Sequence, residues 1–190
     1  MNRPATLLVL LLAGLLAGCG GGSRPTGIRA AETPADDVAE YQPRWRSHTV
    51  DSTQYRKVFL AGTIDMGRSA DWQAALVARF RDSIGGRWLF FNPRRREFHA
   101  SPAEMEYQVA WELAPLEAAD LIVMNLLGDS RSPISLLEMG LYARSGKLFV
   151  ACSPDYYRYD NVRITCRRYG VPLYDSLTAL LDDLPQQSDE

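Results

Sequence analysis

The sequence is poor in the residues that hold metals. It has two histidines, His48 and His99, and three cysteines, Cys19, Cys152 and Cys166, among 190 residues. None falls at the close Cys/His spacing of a zinc site, so no metal centre is expected. No P-loop and no GxGxxG fingerprint is present. The run AGTIDMG, after the first internal apolar stretch, is too loose to serve as one. There is no internal repeat. Excess positive charge is absent too: 21 Lys and Arg stand against 23 Asp and Glu, for a net charge of −2. That speaks against a general nucleic-acid surface, and polymeric nucleic acid is not an expected partner. The one basic run, NPRRREFH at 92–99, reads as a solvated loop. A comfortable membrane-spanning helix needs about 20 apolar residues. The longest apolar run, TLLVLLLAGLLAG, falls short of that.

That run opens what is there. Arg3 precedes it, and it ends in LAGC, residues 16–19. A short positive start, a short apolar stretch and small residues make a secretory leader. Small residues directly before a cysteine resemble a bacterial lipobox. The resemblance implies that Cys19 is lipidated as the first residue of the mature protein. An ordinary signal peptide cut nearby, or a weak anchor, is the alternative. Gly20 stands where an inner-membrane retention Asp is often found, which favours the outer membrane, facing the periplasm. Residues 20–55, rich in Gly, Ser, Pro, Thr and charge, read as a flexible tether, with Tyr41 and Trp45 as candidates to dock on the domain. The organisation is therefore leader 1–19, tether 20–55, domain 56–184 and tail 185–190. In an oxidising envelope Cys152 and Cys166 either pair or remain as two partly buried thiols.

Within the domain, short apolar runs alternate with helical patterns. KVFLAG (57–62), RWLFFNP (87–93), LIVMNLL (121–127), KLFVAC (147–152) and VPLY (171–174) read as strands. Helices are expected over 70–86, 101–120, 133–145, 160–169 and 175–184. Ser101 and Ser132 are candidate N-caps, each followed by Pro at the first helical position. Pro115 is expected to kink or interrupt the second helix. The alternation predicts an α/β fold with a five-stranded parallel sheet covered by helices on both faces. Ligands of such sheets bind past the carboxyl ends of the strands.

Two acids stand on apolar stripes. At 100° per residue, Glu138 projects between Ile134, Leu141 and Tyr142, with no Lys or Arg partner on its own helix. Glu112 shares a stripe with Met105, Val109 and Leu116, whereas Glu104, Glu106 and Glu117 fall on solvated faces. A buried lone carboxylate is costly unless it is paired or neutral. A distant arginine such as Arg79 or Arg163 is the structural explanation, and chemistry is the functional one. Two such acids suit cleavage at an anomeric carbon: one attacks or stabilises the oxocarbenium-like transition state, and the second handles protons.

Several segments then combine in order: VFLAGTI, FNPRR, the element Gln108-Val109-Ala110-Trp111-Glu112, EAADLIVMNL, SPISLLEMGLYA, GKLFVACSP and NVRITCRRYGVPLY. Together, over about 57–184, they resemble the nucleoside 2-deoxyribosyltransferase-like family. The resemblance implies a flavodoxin-like, Rossmann-like three-layer sandwich and no cofactor. It implies cleavage or transfer of the N-glycosidic bond of a small-molecule nucleoside or nucleotide, and a homo-oligomer in which a neighbouring subunit completes the pocket. Glu138, in the E-x-G element, takes the place of the nucleophile. Glu112 takes the place of an acid, commonly Asp, that positions the sugar and assists proton transfer. Gly62 and Thr63 resemble the segment lining the base pocket. Trp111, Asn125 and Tyr142 are further candidate pocket residues. One departure is plain: the family's acid shortly before the nucleophile is replaced here by Ser130, Arg131 and Ser132. Arg131 and Ser132 at a helix N-terminus suit a substrate phosphate, but ordinary capping is the preferred explanation of the serines. Two alternatives to an enzyme stand beside this reading. One is a non-catalytic module binding a nucleotide-like ligand; the other is an envelope interaction lipoprotein.

Overall fold

The computed structural model of the protein describes residues 37–84, 86–97 and 101–184. The leader with Cys19, the tether up to residue 36, His99 and the tail 185–190 lie outside the described residues. In chain order the elements are β1 (Val38–Gln42), β2 (Trp45–Arg46), β3 (Arg56–Gly62), α1 (Trp72–Ser83), β4 (Trp88–Phe91), α2 (Pro102–Ala118), β5 (Leu121–Leu126), α3 (Pro133–Tyr142), β6 (Leu148–Cys152), α4 (Tyr159–Tyr169), β7 (Leu173–Tyr174) and α5 (Leu177–Asp183). They form one sheet of order β2-β1-β4-β3-β5-β6-β7. Every neighbouring pair is parallel except β1 with β2.

The sheet has seven strands where the sequence reading expects five. The two extra strands come from the segment read as tether. Val38 is buried in the core, Tyr41 packs edge-on against Phe91 with ring centroids 6.1 Å apart, and Glu40 accepts from the Asn92 amide at 2.8 Å. A five-residue strand that mixes Val38 with Glu40 and Gln42 on one face is too short to stand out beside a Gly/Ser/Pro-rich neighbourhood. The docking of Tyr41 and Trp45 is real: the Arg96 guanidinium lies 3.7 Å from the Trp45 ring centroid.

The pleat sorts side chains to two cores. Val58, Leu60, Phe90 and Val123 meet α1 and α5 on one face, through Leu76, Phe80 and Leu180. Phe59, Ile122, Met124 and Val150 meet α2, α3 and α4 on the other, through Leu116, Met139 and Val162. The result is the three-layer α/β sandwich. Asp71 caps α1 by accepting from Ala74 N at 3.0 Å, and Ser101 caps α2 by accepting from Glu104 N at 3.1 Å. Pro115 does not end α2. It sits in the last turn, where few hydrogen bonds remain to be lost, and Ala119 N still donates to its carbonyl at 2.8 Å.

The chain leaves β3 by α1 toward β4 on one side, and leaves β5 by α3 toward β6 on the other. These opposed departures open a crevice at the carboxyl ends of β3 and β5, where ligands of open α/β sheets bind.

Candidate active site

A cavity of about 860 Å³ occupies that crevice, within the roughly 300–1,000 Å³ of small-molecule sites. Gly62 and the turn 64–68 after β3 form one wall, and Pro93 to Arg95 after β4 form a second. Met105, Gln108, Val109 and Glu112 of α2 and Ser132 to Ser135 with Glu138 of α3 complete it.

Both acids singled out in the sequence line this one cavity. Glu138 is only 8% exposed. Among the described residues no cation or hydrogen-bond donor is paired with its carboxylate, so the arginine explanation fails. Arg79 is engaged by Asp182 at 2.6 Å and Arg163 by Asp160 at 2.9 Å. Burial pushes the Glu138 carboxyl up to about 8, and the charge of Glu112 adds to the shift. Glu112 is also raised by burial, but Gln108 and Arg95 act against the rise. Burial therefore favours the protonated form of Glu138, while Gln108 and Arg95 favour the ionised form of Glu112.

The stripes that carry these acids are not buried along their length. Met105 and Val109 of α2, and Ile134, Leu137 and Leu141 of α3, are 45–61% exposed. The apolar pattern of these helices covers more than the core contact, leaving an apolar rim beside the cavity.

The polar groups of the two βα turns form a compact network. Thr63 Oγ1 lies 2.8 Å from Ser132 Oγ, which lies 2.7 Å from Ser130 Oγ; Ser130 donates to Asp65 Oδ1 at 3.0 Å. Thr63 Oγ1 also accepts from Leu127 N at 3.0 Å. Ser132 thus does not cap α3 with its side chain. Its φ of 40°, with 48° at Asp65 and 54° at Met66, places three left-handed non-glycine residues on the cavity wall. Such strain persists only where surrounding contacts impose it, and it gathers at functional sites.

Of the residues named from the sequence, Gly62, Glu112, Ser132 and Glu138 line the cavity. Thr63 is fully buried behind it and acts through Ser132. Asn125 is 5% exposed on β5, opposite Gly62. Trp111 packs against the core beneath α2, and Tyr142 donates to Glu117 Oε1 at 2.7 Å. Arg131 is exposed and outside the lining. Sequence reasoning missed Asp65 and Arg95, and it gave Gln108 no role beyond its place in the Gln108–Glu112 element. Asp65 gave no signal in a loose turn. Arg95 was hidden in a run read as solvated, yet Arg94 is 8% exposed and bonds the Ser69 and Ala70 carbonyls at 3.3 and 3.0 Å. Cys152 and Cys166 are free and buried. Among the described residues no cluster of His, Cys, Asp or Glu is arranged to hold a metal.

A mostly parallel sheet with two carboxylates in its switch-point crevice defines an α/β protein with a cavity of small-molecule size at that crevice. The family model for nucleoside 2-deoxyribosyltransferase-like proteins matches residues 55–156, and the chain belongs to that family. The match runs from β3 through β6 and includes both acids. Family membership points to glycosyl transfer on nucleosides. No curated protein matches the chain.

Proposed function

We propose that the protein cleaves the N-glycosidic bond of a (deoxy)nucleoside or nucleotide, passing the sugar to water or to another base. Glu138 attacks the anomeric carbon. The bond to the base breaks with its electron pair on the base nitrogen, and Glu112 supplies the proton that makes the base a leaving group. The observation that carries this reading is the unpaired, buried Glu138 in one cavity with Glu112. The chemistry needs one carboxylate ionised and one protonated. Moving a proton from Glu138 to Glu112 gives the reactive form, against the burial that is the main cause of the rise at Glu138.

The test uses soluble protein lacking the leader, incubated with ribo- and deoxyribonucleosides and their monophosphates, with free base followed by chromatography. Base release is expected. Binding of one of these compounds without release from any would make the protein a binding module instead. The pH profile follows from the pair. The Glu138 proton is present below about 8 and lost above it, so kcat/KM should decline as pH rises through that region. A rate that keeps climbing beyond it would place the proton donor elsewhere.

The apolar rim supports a second part of the reading, an oligomer. Met105, Val109 and Leu113 of α2, with Ile134, Leu137 and Leu141 of α3, present six exposed large apolar side chains on two helices beside the cavity mouth. Patches of this kind mark association surfaces. Sedimentation of the soluble protein should show a dimer or larger, and Leu141→Asp should shift it toward monomer; a monomeric parent would remove this part.

A further inference from the structure

Glu112 does not hold its place alone. One helical turn before it, Gln108 sets its side-chain amide among three groups. Gln108 Nε2 donates to Glu112 Oε1 at 2.5 Å and to the Pro93 carbonyl at 3.1 Å. Gln108 Oε1 accepts from Arg95 Nε. These partners decide which way round the amide sits. Turned over, it would set its oxygen against a carboxylate and a carbonyl, and its NH2 against a guanidinium. Arg95 is itself clamped. It donates through Nη1 to Glu104 Oε2 at 3.3 Å and through Nη2 to the Glu104 carbonyl at 2.8 Å. Arg44, in the turn between β1 and β2, holds the other Glu104 oxygen at 2.7 Å. Among the described residues, Glu112 Oε2 accepts no hydrogen bond.

We propose that Gln108 and Arg95 are positioning residues for Glu112: the guanidinium orients the amide, and the amide holds one carboxyl oxygen while the other is left for the substrate. The inference deepens the proposed function and rests on its assignment of Glu112 as the proton donor. Glu112 gives its proton to the departing base nitrogen and becomes a carboxylate. The Gln108 N–H, already on Oε1, stabilises the charge so formed, and the Arg95 cation stands behind it. Both act against the burial that raises Glu112. The other charged groups bordering the cavity are Glu138 from α3, Asp65 and Arg68 from the turn after β3, and Arg94 beside Arg95. Glu138 is the facing acid, and the charge of Glu112 adds to its rise. A bond that strengthens as charge develops accelerates the step without tightening substrate binding. Losing it should lower kcat by roughly tenfold to a hundredfold, with a smaller change in KM.

The experiment follows the side-chain carboxyl carbons of carbon-13 glutamate by NMR, with Glu112 assigned from Glu112→Gln. The variants are Gln108→Met, close in volume and a good helix former, and Arg95→Lys, which keeps the positive charge but has no Nε–H to fix the amide. Glu112 is expected to titrate at higher pH in both than in the parent, and kcat is expected to fall more than KM rises. If Glu112 titrates unchanged in Gln108→Met while only the melting temperature drops, Gln108 is a staple between α2 and Pro93, and the proposal is overturned. An unchanged titration in Arg95→Lys overturns the part given to Arg95. The NMR signal requires no turnover. If the parent releases no base from any substrate and Glu112 still titrates higher in both variants, the proposed activity falls and the positioning of Glu112 stands.

Discussion

Replacing Glu138 by Gln is expected to abolish base release and, at the same time, to raise the melting temperature near pH 8. The two effects have one cause. Glu138 is buried, carries no partner among the described residues, and faces the charge of Glu112, which together push its carboxyl up from 4.5 to about 8. A folded-state pKa above the unfolded one means that the folded state binds the proton more tightly. Below about 4.5 the group is protonated in both states and its pKa difference has no effect. As pH rises from there toward 8 the unfolded chain ionises freely while the folded one resists, so stability is lost across that window. Glutamine has nearly the same shape and never ionises, so the variant escapes this penalty. The gain near neutral pH is on the order of 2–3 kcal/mol after allowing for the cost of a buried amide. For a domain of this size that is a rise of roughly 5–10 °C. It should vanish at pH 4. Base release should drop at least about a thousandfold, as expected for loss of a nucleophile. Melting curves of parent and variant between pH 4 and 8 check the first claim, and chromatography of free base checks the second. A variant that melts lower at pH 8 would mean that the carboxylate has a stabilising partner. A variant that still releases base would remove Glu138 from the chemistry. Stability exchanged for function in this way is what a strained, charged pocket implies.

The acids were legible in the sequence because helical geometry is rigid. Once α3 was placed by its Pro133 start, the rotation per residue fixed Glu138 next to Tyr142, and the absence of a Lys or Arg one turn away was visible at once. Four inner strands, β3 to β6, were legible for a similar reason: strands buried on both faces are continuous apolar runs. Three things were not. The β1–β2 hairpin is short and sits beside a polar, flexible-looking composition, so its partner β4 had to be known before its pattern meant anything. The exposure of Met105, Val109, Ile134 and Leu141 was misread because an apolar stripe looks the same whether it meets the core of its own chain or a surface left open. The Gln108–Arg95 pairing joins α2 to the loop after β4, and the sequence does not show how that loop folds back. Side-chain networks between loops, such as Thr63 with Ser132 and Ser130, escape periodicity altogether.

Gly62→Ala is expected to destabilise the fold by roughly 3–4 kcal/mol, more than a turn glycine normally commands. Gly62 ends β3 with φ at +122°, and a Cβ built there would lie 2.2 Å from the Asn125 carbonyl oxygen and 2.6 Å from the Asn125 nitrogen. Both are backbone atoms of the neighbouring strand. They have nowhere to retreat, since Asn125 is held between Gly62 on β3 and Ala151 on β6, and its carbonyl accepts from Thr63 N at 2.8 Å. Alanine therefore has to pry β3 from β5 at the very end of the crevice, or turn the backbone and displace Thr63, whose hydroxyl braces Ser132 and Leu127. Either movement reaches the cavity wall, so whatever fraction folds should also bind substrate poorly. Gly67 supplies the control. Its φ is +81°, yet a Cβ there meets nothing within 4 Å, so Gly67→Ala bears only the backbone cost of about 1 kcal/mol. Urea unfolding of the two variants separates the contributions: the difference between their midpoints reads the close approach of the strands, because both carry the conformational cost. If the two midpoints coincide, β3 and β5 have room to part at Gly62, and the crevice is held open by its loops and helices rather than by the contact between its strands.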